Sequence, residues 1–303
     1  MKIAFSTRTM DVYPHRYGEP LPEDVRGRVL RWGAVKGFEA AELEDGWALV
    51  EQMDDAALAR LRDQASSAGI ALTLKLHYRD LSTPSVAPAN EAGVRRNVEA
   101  AAKLGAPVVS FSMPTAESAR RELSRELGRD WRPSSRDALP GAYEASAEAI
   151  RRLGRRAAEL GVVLSVEMHQ GSIADTGPSL LRLLELVDLP NVGANPDLAN
   201  LMQLTPPPEE DWRGCLARIA PRMNYWHVKN LRRYEVGGQP LLLRRRLDEG
   251  FVDYRWCVAF LLERGWDGYA VIEGPGFGDH LTVVEESRAY LAKLIDEQRT
   301  LGI

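Results

Sequence analysis

Residues Gly161–Ser172 read GVVLSVEMHQGS, an apolar run that ends in an acid and an imidazole. The run Val162–Val166 has the composition of a strand buried on both faces, as in a parallel sheet. Because residues two apart on a strand point to the same side, Glu167 and His169 should project together. The carboxyl ends of parallel strands carry the active sites of α/β enzymes, so this strand end predicts a functional site.

Similar apolar runs recur along the chain and alternate with amphipathic stretches that predict helices. The predicted strands are Ile3–Phe5, Phe38–Leu43, Ile70–Leu76, Pro107–Phe111, Val162–Met168, Asn191–Asn195, Met223–Val228 and Tyr269–Ile272. Eight strands that alternate with eight helices predict an α/β protein, a single-domain (β/α)8 TIM barrel over residues 1–303. We expect a charge-rich insertion at Met113–Gly141, with a helical portion at Glu117–Leu127, and find no glycine-rich dinucleotide fingerprint after the first strand.

The amino-acid composition limits the kinds of molecule that the protein is expected to bind. The net charge of −4 argues against binding of nucleic acid through bulk charge. The sequence has no signal-peptide pattern and no apolar run long enough to span a bilayer, so we expect no membrane association. We expect Cys215 and Cys257 to be buried thiols, as in proteins of a reducing compartment. We therefore expect a cytoplasmic protein.

Four consecutive predicted strands, the fifth to the eighth, end in groups that bind metals: Glu167, Asp197, His227 and Glu273. Alone, each has an ordinary explanation, such as a helix cap for Asp197 or a core histidine for His227. In a barrel the four would crowd one half of the carboxyl-terminal rim, where three carboxylates repel one another unless a cation joins them. Oxygen ligands with one imidazole suit Mn²⁺ or Mg²⁺, while Co²⁺ and Zn²⁺ stay open.

The motifs around these residues resemble the xylose isomerase-like TIM barrels, specifically the sugar phosphate isomerase/epimerase group. The similar segments are SVEMH around Glu167, NPDLAN around Asp197, YWHVKN around His227, AVIEG around Glu273, and GFEAAEL at residues 37–43. The resemblance implies that the four residues bind one divalent metal ion, with Mn²⁺ as first choice. It also implies that Glu167 and Glu273 face opposite sides of a small carbohydrate-like substrate as acid and base. Relatives are commonly dimers or tetramers.

The resemblance implies a divalent-metal-dependent isomerase or epimerase of a sugar or sugar derivative. A metal chelated by a carbonyl and a neighbouring hydroxyl stabilises the enediolate that forms when the adjacent carbon loses its proton. Two carboxylates on opposite faces give epimerisation, and one base that returns the proton to the next carbon gives aldose–ketose isomerisation.

Further polar residues near strand ends are candidate substrate contacts. They are His169, Asn200, Lys229, Arg233 (or Arg232) and His77, with Arg8 and Glu42 as additional pocket candidates. His169 could equally well contact the substrate or donate a hydrogen bond to one of the metal-binding residues. Many sugar epimerases of the family have histidine in place of Asn200 and aspartate in place of Asn230, which argues against a free-ketohexose 3-epimerase.

Three alternative functions stay open to different degrees. A dehydratase of an inosose- or dehydroshikimate-like substrate would share the proton abstraction, with His169 or His77 as the acid for the leaving hydroxyl. Endonuclease IV has related architecture but needs many histidines for three zinc ions, and this chain has five scattered ones. A metal-free binding barrel is disfavoured because all four ligand residues are present.

Overall fold

The computed structural model describes residues 1–8, 10, 12–15, 19–114, 134–205, 207–237, 239–274 and 278–302 of the chain. These residues form two compact units, one of residues 1–75, 103–106 and 225–303, the other of residues 76–102 and 107–224. Most of the expected insertion at residues 113–141, including the predicted helical portion, lies outside the described residues. The assignment of one domain to residues 1–303 stays a prediction.

Eight parallel strands form the central sheet of the fold. They are β1 (Lys2–Ser6), β2 (Ala40–Glu44), β3 (Ala71–Leu76), β4 (Val108–Phe111), β5 (Val163–Glu167), β6 (Val192–Asn195), β7 (Trp226–Val228) and β10 (Tyr269–Ile272). Their order in the sheet is β6-β5-β4-β3-β2-β1-β10-β7, a nearly closed barrel. A parallel bridge also joins Ala194 of β6 to Met223. The predicted (β/α)8 fold is confirmed.

Helices follow the strands as the alternation predicts. Those of the described residues are α1 (Glu23–Val35), α2 (Asp55–Ala68), α3 (Ala87–Leu104), α4 (Ala142–Glu159), α5 (Gly177–Val187), α6 (Leu198–Leu201), α7 (Trp212–Ile219), α8 (Tyr254–Glu263) and α9 (His280–Leu301). Side-chain caps start several of them; Asp54, for example, accepts a hydrogen bond from the Ala57 amide at 2.7 Å. In the described helices, no segment is both long and apolar enough to cross a membrane.

A β-hairpin after β7 was not anticipated. Strands β8 (Asn230–Val236) and β9 (Gln239–Arg245) pair antiparallel, with Arg233 opposite Leu242. The signal was present in the two glycines that separate two strand-like runs, and Gly237 has the positive φ of 58° that such turns use. The eighth strand of the barrel is therefore β10.

Helix α1 packs so closely on β1 that one position excludes any side chain. A Cβ on Gly33 would lie 2.2 Å from Cε1 of Phe5, which is fully buried and packs edge-on against Trp32 and Phe38. A Cβ on Gly27 of the same helix would meet only ordinary contacts, from 3.5 Å upward. Substitution of the two glycines therefore distinguishes the effect of packing on stability, at Gly33, from the effect of backbone entropy, at Gly27.

We expect Gly33→Ala to lower the free energy of unfolding by about 1–3 kcal/mol because it overpacks the Phe5 site. Gly27→Ala should instead raise the free energy of unfolding by about 0.5–1 kcal/mol, the usual gain of alanine in a helix. Urea unfolding followed by circular dichroism measures both. Equal effects of the two substitutions would contradict the packing of α1 on Phe5.

Candidate functional site

His227 and Glu273 lie together because their strands are neighbours. Strand β7 pairs with β10 so that His227 aligns with Val271, and the Glu273 amide donates to the Val228 carbonyl at 3.0 Å. Nδ1 of His227 is 3.1 Å from Oε1 of Glu273. Both residues are buried.

Two cations face the other oxygen of Glu273. Nζ of Lys229 lies 2.8 Å from Oε2, and Nη1 of Arg8 lies 3.7 Å from the same oxygen. Burial by itself would raise the pKa of the Glu273 carboxyl, but Lys229, then His227 in its protonated form, and Arg8 outweigh burial and hold that pKa well below its ordinary value. Glu273 is therefore ionised near neutral pH. Lys229, expected to contact substrate, pairs with this carboxylate.

Glu42 holds the other face of the His227 ring. Its Oε2 lies 2.8 Å from Nε2 of His227 and accepts a hydrogen bond from the Tyr225 hydroxyl at 3.0 Å. Burial and then the neighbouring Glu42 carboxylate raise the pKa of Tyr225, so its hydroxyl stays protonated. Sequence reasoning placed Glu42 only as an additional pocket candidate. A glutamate inside the buried segment AAELE of β2 was the available signal.

Glu167 and Asp197 lie on the neighbouring strand ends of β5 and β6. Glu167 aligns with Asn195, and the amide of Met168 donates to the Asn195 carbonyl at 2.9 Å. Oδ1 of Asp197 accepts from the Ala199 and Asn200 amides at 3.1 and 3.3 Å, which makes Asp197 the cap of α6. Asp197 is fully buried, unlike an ordinary surface cap, so capping orients a carboxylate inside the protein.

His169 lies at the end of β5 and is held by its Nδ1 atom. Nδ1 is 2.7 Å from the Gln170 carbonyl, and Tyr78 packs edge-on against the ring with centroids 5.1 Å apart. Because a carbonyl only accepts, Nδ1 carries the proton, and Nε2 of the neutral ring is an acceptor. Tyr78 was not among the predicted site residues, since its contact with His169 joins distant parts of the chain.

The two asparagines that depart from the family pattern are bonded within the protein. Nδ2 of Asn200 donates to the Met168 carbonyl at 3.1 Å, and its Oδ1 accepts from Gln203 at 2.9 Å. Nδ2 of Asn230 donates to the carbonyls of Leu247 and Val252 at 2.8 and 2.9 Å. An aspartate has no donor, so it could not hold the segment after the hairpin in this way.

Arg233 and His77 each make a contact within their own segment of the chain. Nε of Arg233, on β8, donates to Glu235 at 3.0 Å, and the Arg233 side chain is only 10% exposed. His77 directly follows β3, and its carbonyl accepts from the Arg79 guanidinium. The substrate-binding roles of Arg233, His77, His169, Asn200 and Lys229 stay predictions.

The four predicted ligands are close enough to share one ion. Glu167, Asp197, His227 and Glu273 each offer a ligand atom, and these atoms all lie within 4.8 Å of one another. All four residues are at most 3% exposed. Adjacent ligands of an octahedral ion with bonds of about 2.1 Å lie about 3 Å apart, which matches the 3.1 Å between His227 and Glu273. Three carboxylates and an imidazole therefore fit a divalent metal.

Comparisons with known proteins identify the family. The sequence model described as "Xylose isomerase-like TIM barrel" matches residues 30–294. An inosose dehydratase from Geobacillus kaustophilus (strain HTA426) is 24% identical over 170 residues, 50% of this chain and 53% of that protein. The chain thus aligns with about half the length of this curated relative.

Solved structures match nearly the whole chain. A xylose isomerase-like TIM barrel protein from Mycobacterium smegmatis, in complex with magnesium, has a TM-score of 0.78 at 24% identity, covering 97% of this chain and 96% of that one. D-allulose 3-epimerase from Methylomonas sp. has a TM-score of 0.72 at 14% identity, covering 97% and 98%. The chain belongs to the xylose isomerase-like TIM barrel family.

Proposed function

We propose that the protein is a divalent-metal-dependent isomerase or epimerase of a sugar or sugar derivative. The observation that carries this proposal is the buried set of Glu167, Asp197, His227 and Glu273, whose ligand atoms lie within 4.8 Å of one another. These residues would hold one ion, with Mn²⁺ or Mg²⁺ favoured by the oxygen-rich donor set. A bound divalent ion supplies Lewis acidity that polarises a substrate carbonyl.

In this proposal Glu273 is a base. Its carboxylate is buried beside Lys229 and Arg8, which keep it in the ionised form that a base must have before it takes a proton from the carbon beside the carbonyl. Glu167 is the second acid–base group and returns a proton to the substrate. Proton delivery to the opposite face of the same carbon gives an epimer, and delivery to the neighbouring carbon gives the isomer.

The comparisons support the general chemistry of this proposal. The Methylomonas protein is a D-allulose 3-epimerase, and the structure of the Mycobacterium smegmatis protein is a complex with magnesium. Both share the fold with this chain at low sequence identity. We therefore propose a small carbohydrate-like substrate, without naming the sugar.

A second candidate function is a dehydratase of an inosose-like ketone. The curated relative from Geobacillus kaustophilus is an inosose dehydratase. His169 adds a physical reason, because its Nδ1–H is fixed on the Gln170 carbonyl and the imidazolium form of the ring carries a second proton, on Nε2, that can be given to a departing hydroxyl. Proton abstraction by Glu273 would be common to both reactions.

Proton exchange in heavy water separates the two candidates. Protein loaded with Mn²⁺ is incubated with ketoses and inososes, and products are followed by NMR and ultraviolet absorbance. An isomerase or epimerase incorporates deuterium beside the carbonyl and forms a stereoisomer or isomer without loss of water. A dehydratase forms a conjugated enone. A metal-bound protein that gives neither signal across the panel, with chelated protein as the blank, contradicts both proposals.

A further inference from the structure

We infer that Glu42 is a positioning residue that selects Nδ1 of His227 as the metal-binding atom. This inference deepens the metal site and rests on the proposed function. Glu42 is not one of the four proposed ligands, and it acts on the metal site only through the imidazole ring of His227. The inference predicts which ring nitrogen carries the proton.

Glu42, Tyr225 and Thr73 form a buried chain of hydrogen bonds behind His227. Oε2 of Glu42 lies 2.8 Å from Nε2 of His227 and 3.0 Å from the Tyr225 hydroxyl. The Tyr225 hydroxyl lies 2.6 Å from Oγ1 of Thr73. None of these four side chains is exposed to solvent.

The donors and acceptors in this chain can be assigned from its chemistry. Tyr225 has one hydroxyl hydrogen, which it donates to Glu42, so it accepts from Thr73. Oε2 of Glu42 accepts from the Tyr225 hydroxyl, and we assign it the acceptor role toward the imidazole as well, so Nε2 of His227 carries the hydrogen that faces Glu42. In a neutral ring the lone pair is then on Nδ1, which faces Oε1 of Glu273 at 3.1 Å. Two electron-rich atoms this close repel each other, and a bound divalent ion would offset that repulsion.

The buried position of Glu42 lowers the stability of the fold. Among the residues that the structure describes, no hydrogen-bond partner reaches Oε1 of Glu42, although that oxygen is buried. Burial of an incompletely bonded carboxylate is unfavourable, and an apolar side chain would fit a strand such as β2 at lower cost. Stability therefore does not explain the presence of Glu42, whereas a role in orienting the His227 ring does.

The first test is the affinity of the metal-free protein for Mn²⁺, measured by calorimetry. We expect Glu42→Leu to weaken binding by about 100-fold and Glu42→Gln by about 10-fold, because glutamine keeps an acceptor but loses the charge. Tyr225→Phe removes the donor to Glu42 and the acceptor from Thr73 but leaves the Glu42 carboxylate beside His227, so it should weaken binding less than Glu42→Gln does. The matched control is Glu39→Gln, since Glu39 accepts from the Ile3 amide and should leave the affinity unchanged.

The second test is independent of metal binding. Nitrogen-15 NMR of metal-free protein, at a pH where the ring is neutral, should place the His227 proton on Nε2. Glu42→Leu should lose that preference. A proton on Nδ1 in the parent protein, or an unchanged Mn²⁺ affinity in a folded Glu42→Leu variant, overturns the inference. Failure of the parent protein to bind any divalent metal would instead overturn the proposed function, while the NMR result would still decide the tautomer.

Discussion

Glu273→Gln should lower kcat by about 10²- to 10⁴-fold, the usual contribution of a general base. Glutamine keeps the size of the side chain but cannot accept a proton from carbon. It also removes the negative charge that faces Lys229 at 2.8 Å and Arg8 at 3.7 Å. Deuterium exchange at the substrate carbon should fall in parallel with turnover, because the same proton transfer is lost.

The matched control for Glu273→Gln is Glu285→Gln. Glu285 also pairs with a lysine, Lys36, at 2.8 Å, but both side chains are substantially exposed to solvent. This substitution should leave kcat unchanged and alter stability by less than about 1 kcal/mol. If Glu273→Gln retains the parent turnover while folded, Glu273 is not the base.

Asp197→Asn should weaken the binding of a divalent metal by at least about 100-fold, since one anionic ligand is lost. The cap of α6 should survive, because asparagine caps helices as well as aspartate does and can accept from the Ala199 and Asn200 amides. Without metal, the variant should be as stable as the parent or more stable, since one of three clustered carboxylates is neutral. Thermal unfolding with and without Mn²⁺ measures both effects.

Asp211→Asn is the corresponding control. Asp211 caps α7 through a 2.7 Å hydrogen bond from the Gly214 amide and lies outside the candidate site. The variant should keep the full stabilisation by Mn²⁺. If Asp197→Asn shows the same metal-induced rise in melting temperature as Asp211→Asn, Asp197 does not bind the metal.

The sequence was most informative where structure depends on local patterns. Buried apolar runs located the eight barrel strands, and polar residues at or near the ends of four of these strands located the candidate ligands, such as Glu167 at the end of β5. Parallel strands bring their carboxyl ends to one side, so no further information was needed to expect these residues together.

Partners that are distant in sequence could not be predicted in this way. Glu42 and His227 are 185 residues apart, and nothing near either residue indicates their hydrogen bond. The pairing of Tyr78 with His169 has the same origin. The hairpin of residues 230–245 was missed for a different reason, because Arg232 and Arg233 were interpreted as candidate substrate contacts and the runs on either side of Gly237 were not assigned to strands.

The departures from the family pattern also needed the structure for their explanation. The sequence showed Asn230 in place of an aspartate but could not show why. The structure gives the reason, since the amide donates to two backbone carbonyls, those of Leu247 and Val252. Such a position depends on donors and acceptors that only the folded chain brings together.

Anomalous diffraction from crystals grown with Mn²⁺ tests the central claim most directly. We predict one anomalous peak at bonding distance from carboxylate oxygens of Glu167, Asp197 and Glu273 and from Nδ1 of His227. A peak at another location, or no peak among these four side chains in crystals that contain Mn²⁺, would contradict the account.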